Sequence, residues 1–291
     1  MSDGLKNAAT YHFGAATCGD AEAPQARSGA EAPQARSGAL RRAGSHMPDP
    51  QEPDEGFLRR LEVAVLGTDR DAQRAVLSAM ARAGISWAEV ADIYIPTVAR
   101  RLGDAWCDDT LSFAEVTIGS ARLQAMLREF GPEWSEEVRS DPLAPNVLLI
   151  NPREDNHTLG AMVVAGQMRR ARVSVRLSLG EHDEVVMDHV ATKRFDAVLI
   201  SASGSVRLES VRDLVKKIRM AARPVPPLVL GGTILDTDRD AKTITGVDHA
   251  TCDLQRVMGL CGIRTPFNAT ATLGNAIPGR ARTSPNLEGA G

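Results

Sequence analysis

Aromatic side chains are scarce: Phe, Trp and Tyr make up 4% of the 291 residues. That argues against a surface that stacks successive nucleic-acid bases. An excess of one charge is lacking too. The formal net charge of −3 gives no general electrostatic footprint for DNA. The four cysteines, Cys18, Cys107, Cys252 and Cys261, have no CxxC spacing for zinc or dithiol chemistry and are read as reduced thiols. No run approaches ~18 uninterrupted apolar residues, and the N-terminus lacks the basic-then-apolar layout of a secretory signal. A cytoplasmic location is therefore expected. What is present in quantity is hydrophobic residues, at 43%, enough for a real core in one or two domains.

Residues 1–55 are rich in Ala, Gly, Pro, Ser and charge, without sustained periodicity, and are expected to be disordered. They hold a tandem copy, EAPQARSGA at 22–30 and again at 31–39, of a composition that suits a linker. Gly44-Ser45-His46-Met47 fits either a cloning remnant or a native stretch with Met47 as an internal start. Residues 56–138 read as a four-helix bundle. One apolar face runs from Phe57 to Leu66 and ends at Gly67; a second runs through Val76, Leu77 and Met80 to Gly84. Ser86 with Glu89, and Ser112 with Glu115, have the spacing of capping boxes that open the third and fourth helices.

After a linker at 139–145 the pattern changes. Val147–Ile150 is a continuous apolar run, as in a strand buried on both faces. Helices at about 158–171, 183–193 and 207–222 alternate with strands at Val173–Leu179, Ala197–Ile200 and Leu228–Leu230. A short strand or turn near Ile244 and a helix at about 251–260 complete the series. The alternation predicts a doubly wound, flavodoxin-like five-stranded parallel sheet over 145–265. Residues 266–291 are expected to form a disordered tail.

In such sheets ligands sit at the carboxyl ends of the strands. The loop after the first strand places Asp155 and His157 there, in the pattern Asp155-x-His157-x-x-Gly160. A carboxylate two residues before an imidazole can accept its Nδ1–H, fix the tautomer and raise the basicity of Nε2, as for metal-ligating histidines. Gly160 lets the helix start approach a bulky group. Ser201-Ala202-Ser203 follows the third strand and Gly231-Gly232 the fourth. Taken singly, Ser201 also suits a strand-end cap and Gly231-Gly232 a tight turn.

Together these three motifs resemble the cobalamin-binding domains of methionine synthase, methylmalonyl-CoA mutase and related corrinoid proteins, which carry Asp-x-His-x-x-Gly, Ser-x-Leu and Gly-Gly. The gaps here, 161–200 and 204–230, look like the family's. Ser203 stands where the family usually has Leu. The resemblance implies that the benzimidazole tail leaves cobalt and enters a channel beside the sheet. His157 would take the lower axial position, oriented by Asp155. Ser201 would bond the base, with Ser203 at the channel wall and room left by Gly231 and Gly232. The helical segment resembles the cap of corrinoid proteins, with Trp106 and Glu115 at the upper face; Trp106 also suits ordinary bundle core. Light-sensing relatives carry a Glu-His pair in that cap, where this chain has Val116 and Thr117. An upper position open to water, hydroxide or a small ligand, or filled by a histidine from elsewhere, is the resulting expectation.

No catalytic module is legible, so a non-enzymatic role is expected. The cap run WCDDTLSFAEVTIGSARLQAML and the run EDNHTLGAMVVAGQMRRARVSV resemble the PpaA/AerR group of photosynthesis regulators. That likeness implies a cobalamin-dependent, light-responsive antirepressor acting on a CrtJ/PpsR-type repressor. The alternative is a corrinoid methyl carrier of a methyltransferase system, which has the same cap-plus-domain layout.

Overall fold

Capping chemistry sets the helices of the N-terminal half. Asp54 accepts a hydrogen bond from the Phe57 amide and opens α1 (Glu55–Leu66), and Asp69 does the same through Asp71 for α2 (Arg70–Arg82). Both expected capping boxes form: Ser86 with Glu89 opens α3 (Trp87–Glu89), and Ser112 with Glu115 opens α5 (Phe113–Glu129). Helix α3 runs without a break through a π-helical turn (Val90–Tyr94) into α4 (Ile95–Cys107). The cause is Pro96, whose ring crowds the carbonyl four residues back and loosens the turn before it.

In the computed structural model, the described residues are 53–130, 144–238 and 240–264. The expected N-terminal disorder up to residue 52, the end of the bundle, most of the 139–145 linker and the tail lie outside them. Cys252 and Cys261 stand outside any disulfide, whereas Cys107 is disulfide-bonded, against the expectation of four reduced cysteines. No helix among the described residues is long and apolar enough to cross a membrane.

The C-terminal half alternates strand and helix: β1 (Asn146–Asn151), α6 (Leu159–Arg170), β2 (Ser174–Leu179), α7 (Asp183–Thr192), β3 (Ala197–Ser201), α8 (Leu208–Ala221) and β4 (Leu228–Gly231). Short helices α9 (Ile234–Thr237) and α10 (Ala241–Thr245), β5 (His249–Ala250) and α11 (Leu254–Leu260) follow. All pairings are parallel, in the order β2-β1-β3-β4-β5. The expected flavodoxin-like sheet is present. The fifth strand is not near Ile244, which lies in α10. Gly246, at φ 72°, closes that helix, and β5 pairs His249 with Val229. Of the two readings for the stretch near Ile244, a short strand or a turn, the turn is the one present, as a turn of helix.

Side chains alternate along β1. Leu148 and Ile150 join Val186, Leu214 and Ile218 in a core beneath α7 and α8. Val147 and Leu149 join Ala161, Met168 and Val257 beneath α6 and α11. A third core fills the helical bundle and takes in Leu159 and Val163 of α6. Arg170 of α6 pairs with Asp92 in the π-helical turn, at 2.6 Å, fastening the bundle to the sheet domain. Burial pushes the Asp92 carboxyl up, against the pull of Arg170.

Candidate functional site

Asn151 ends β1, and the chain turns at once. The Asp155 amide bonds the Pro152 carbonyl, and the Asn151 side-chain amide holds the Asp155 carbonyl at 2.9 Å. These bonds bring the Asp155 carboxylate back over the strand ends, where it is 3% exposed. Its Oδ1 accepts from the His157 amide at 2.9 Å, from His157 Nδ1 at 3.0 Å and from the Ser203 hydroxyl at 2.9 Å. Its Oδ2 accepts from the Ser203 amide at 2.7 Å. Burial pushes this carboxyl up, but the four hydrogen bonds outweigh it and hold it below the ordinary carboxylate range. Because Nδ1 carries the proton, Nε2 presents its lone pair outward; the ring is 37% exposed, and Nε2 has no partner among the described residues.

Ser203 is thus part of the cluster. No local pattern signals that its hydroxyl reaches 48 residues back to Asp155. Ser205, whose hydroxyl lies 2.6 Å from that of Ser203, was also missed. Ser201 and Gly231 are register partners at the ends of β3 and β4. Gly160 sits in the first turn of α6. Gly232 has φ 105°, and a Cβ there would meet the Ala202 carbonyl oxygen at 2.0 Å. Its own backbone therefore demands glycine, so a Gly232→Val change would disturb the fold here whether or not a ligand channel runs beside it.

Trp106 and Glu115 lie elsewhere, at the α4–α5 turn. Trp106 is no bundle-core residue: it is partly exposed and meets the Phe113 ring edge-on at 6.1 Å. The Glu115 carboxylate accepts from the Ser112 amide and hydroxyl, and the hydroxyl bond leads in drawing its pKa down. No hydrogen bond or ring contact among the described residues links this turn to Asp155. The bundle does touch the loop elsewhere, where Gln124 of α5 donates to the Thr158 hydroxyl at 3.1 Å, one residue from His157.

The model of the B12 binding domain matches residues 145–254. An uncharacterized 20.5 kDa protein in the bchF–crtJ intergenic region of Rhodobacter capsulatus is 36% identical over 170 residues, 58% of this chain and 88% of that protein. Residues 145–254 of this chain are a B12-binding domain. The solved monomethylamine corrinoid protein of Methanosarcina barkeri has the same fold, with a TM-score of 0.56 over 71% of this chain and 97% of that one, at 13% identity.

The residues present fit a B12 corrinoid. His157 offers one neutral imidazole nitrogen with its tautomer fixed from behind, which is what a cobalt ligand requires. On the α6 and α11 face of the sheet, Ser201 is buried, and Gly231 beside it has no side chain. A hydroxyl and a glycine at adjacent strand ends suit the tail of a B12 ligand. A separate cavity of about 220 Å³, lined by Arg153, Glu181, Asp213 and Lys217 among others, opens on the opposite, α7 and α8 face and is not that channel.

Proposed function

We propose that this chain is a cobalamin-dependent transcriptional antirepressor, in which His157 holds cobalt from below and the helical cap passes the signal to a CrtJ/PpsR-type repressor of photosynthesis genes. The observation that carries the binding half is the closed Asp155–His157–Ser203 cluster, which leaves Nε2 as its single outward donor atom. The regulatory half draws on the 36% identical relative from the bchF–crtJ region.

A bound cobalamin supplies a visible-light-absorbing centre with an exchangeable upper ligand. Asp155 keeps the His157 proton on Nδ1, and the buried Ser203 hydroxyl and amide hold Asp155 in turn. On the cap side, Thr117 stands where light-sensing relatives have histidine, and its hydroxyl donates to the Phe113 carbonyl at 2.7 Å. A cobalamin held against the cap would meet Trp106 and Phe113, and a change in that packing would reach Thr158 along α5 through Gln124.

The test is a gel-shift assay with a purified CrtJ/PpsR-type repressor and its promoter, with apoprotein and cobalamin-loaded protein, dark and illuminated. Release of repressor from DNA only with loaded protein is the expected result. No change in repressor binding, together with methyl transfer from the loaded chain to a thiol or folate, would replace the regulator by a corrinoid methyl carrier.

A further inference from the structure

We infer that Asn151 is a cobalamin-contacting residue that accepts a hydrogen bond from the nucleotide tail; the inference rests on the cobalamin reading above. Asn151 is the last residue of β1 and is 1% exposed. Its Nδ2 donates to the carbonyls of Asp155 at 2.9 Å and Pro152 at 3.3 Å. Because both neighbours on that side are carbonyl oxygens, the orientation of the amide is fixed: turned over, it would set oxygen against oxygen. The atom left over, Oδ1, is buried and has no hydrogen-bond partner. Whatever completes it must be a donor, since an unpaired buried acceptor is costly.

The position of Asn151 tells which part of the ligand supplies that donor. Val147 and Leu149 of the same strand point into the layer under α6 and α11, so by alternation Asn151 faces that layer too. The β1–β3 register, which pairs Ile150 with Ile200, sets Ser201 beside it, and Ser201 pairs in turn with Gly231. Asn151, Ser201 and Gly231 therefore form one row across three strands, above the apolar Leu149, Leu199 and Val229. The corrin ring is too broad to descend from the loops into this layer, whereas the slender tail can. A dimethylbenzimidazole base has no N–H, so it cannot serve Oδ1. The ribose hydroxyl of the tail can, while the neighbouring Ser201 hydroxyl would donate to the base.

The experiment titrates the full-length protein with cobalamin and with cobinamide, which keeps the corrin ring and lacks the nucleotide, and repeats both with Asn151→Ala. The substitution is expected to weaken cobalamin about tenfold, as for the loss of one buried hydrogen bond, and cobinamide less than about threefold. Equal losses for the two ligands would show that Asn151 acts only by holding the Asp155 loop, and no loss for either would leave Oδ1 without a ligand role; both overturn the inference. If wild type binds neither corrinoid, the cobalamin reading itself falls. Should Asn151→Ala fail to fold by circular dichroism, a carbon-13 label on the asparagine side-chain carbonyls of wild type decides. A signal that shifts with cobalamin and not with cobinamide supports the contact, and identical spectra overturn it.

Discussion

Asp155 and Glu115 are both carboxylates that close back on near neighbours, and both have their pKa values lowered by hydrogen bonds, yet they belong to opposite kinds of structure. Glu115 accepts from Ser112, three residues away, in an exposed turn, and nothing beyond that helix end depends on it. Asp155 accepts from His157 and also from Ser203, across the loops of two strands. The α4–α5 turn is a self-sufficient local motif, whereas the His157 loop adds to its local bonds a support that exists only in the assembled sheet. The comparison teaches that the Asp155–His157 pair is braced from a second strand, while the α4–α5 turn offers exposed rings, with Phe113 70% accessible.

The sharpest way to break that contrast is His157→Ala, expected to lower cobalamin affinity by more than ~100-fold, since it removes the ligand and not its support. Equal retention of the corrinoid by variant and wild type on a desalting column would refute the lower-axial assignment. Asp155→Ala should cost about 10–100-fold, the usual range for a group that orients a metal-bound histidine. Ser203→Ala should cost less, roughly 3–10-fold, because the Ser203 amide still bonds Oδ2 when the hydroxyl is gone. Isothermal titration of the two variants would rank them, and the reverse order would mean that Ser203 touches the ligand itself.

Acidity tests the same loop without a ligand. The Asp155 carboxyl is held below the ordinary carboxylate range in the fold. The folded state therefore binds fewer protons there than the unfolded chain, and the resulting stability is full near neutral pH and fades as pH falls through and below about 4. Denaturant unfolding of apoprotein across that range should show a flatter pH dependence for Asp155→Asn than for wild type. The smallest effect belongs to the exposed turn: Trp106→Ala should change cobalamin affinity by about twofold or less, in line with the loss of a partly exposed contact. A loss comparable to that of Asp155→Ala would place Trp106 firmly against the corrin.

The sheet and both capping boxes were legible because hydrophobic runs and Ser-x-x-Glu spacings are local signals. The Asp155–His157 pair was legible for the same reason, at two residues' separation. Ser203 was not, because its bond to Asp155 spans 48 residues and depends on β3 lying beside β1. Asn151 read as the polar end of a strand; only its fixed amide orientation reveals the unfilled oxygen. Gly232 was legible as necessary, but its positive φ leaves no trace in composition. The displaced β5 is a two-residue edge strand, too short for any alternation to show.

Helix α6 follows His157 directly and is buried on two sides. Leu159, Met162 and Val163 pack among the bundle helices, while Ala161, Val164, Ala165 and Met168 pack on the sheet. Removing the bundle would strip an apolar flank from the very helix that begins at the ligand loop. The two halves should accordingly melt in one cooperative transition, and backbone amides of α6 should exchange with solvent only at the slowest, global rate. A protein cut between the halves would be left with a sticky helix beside His157.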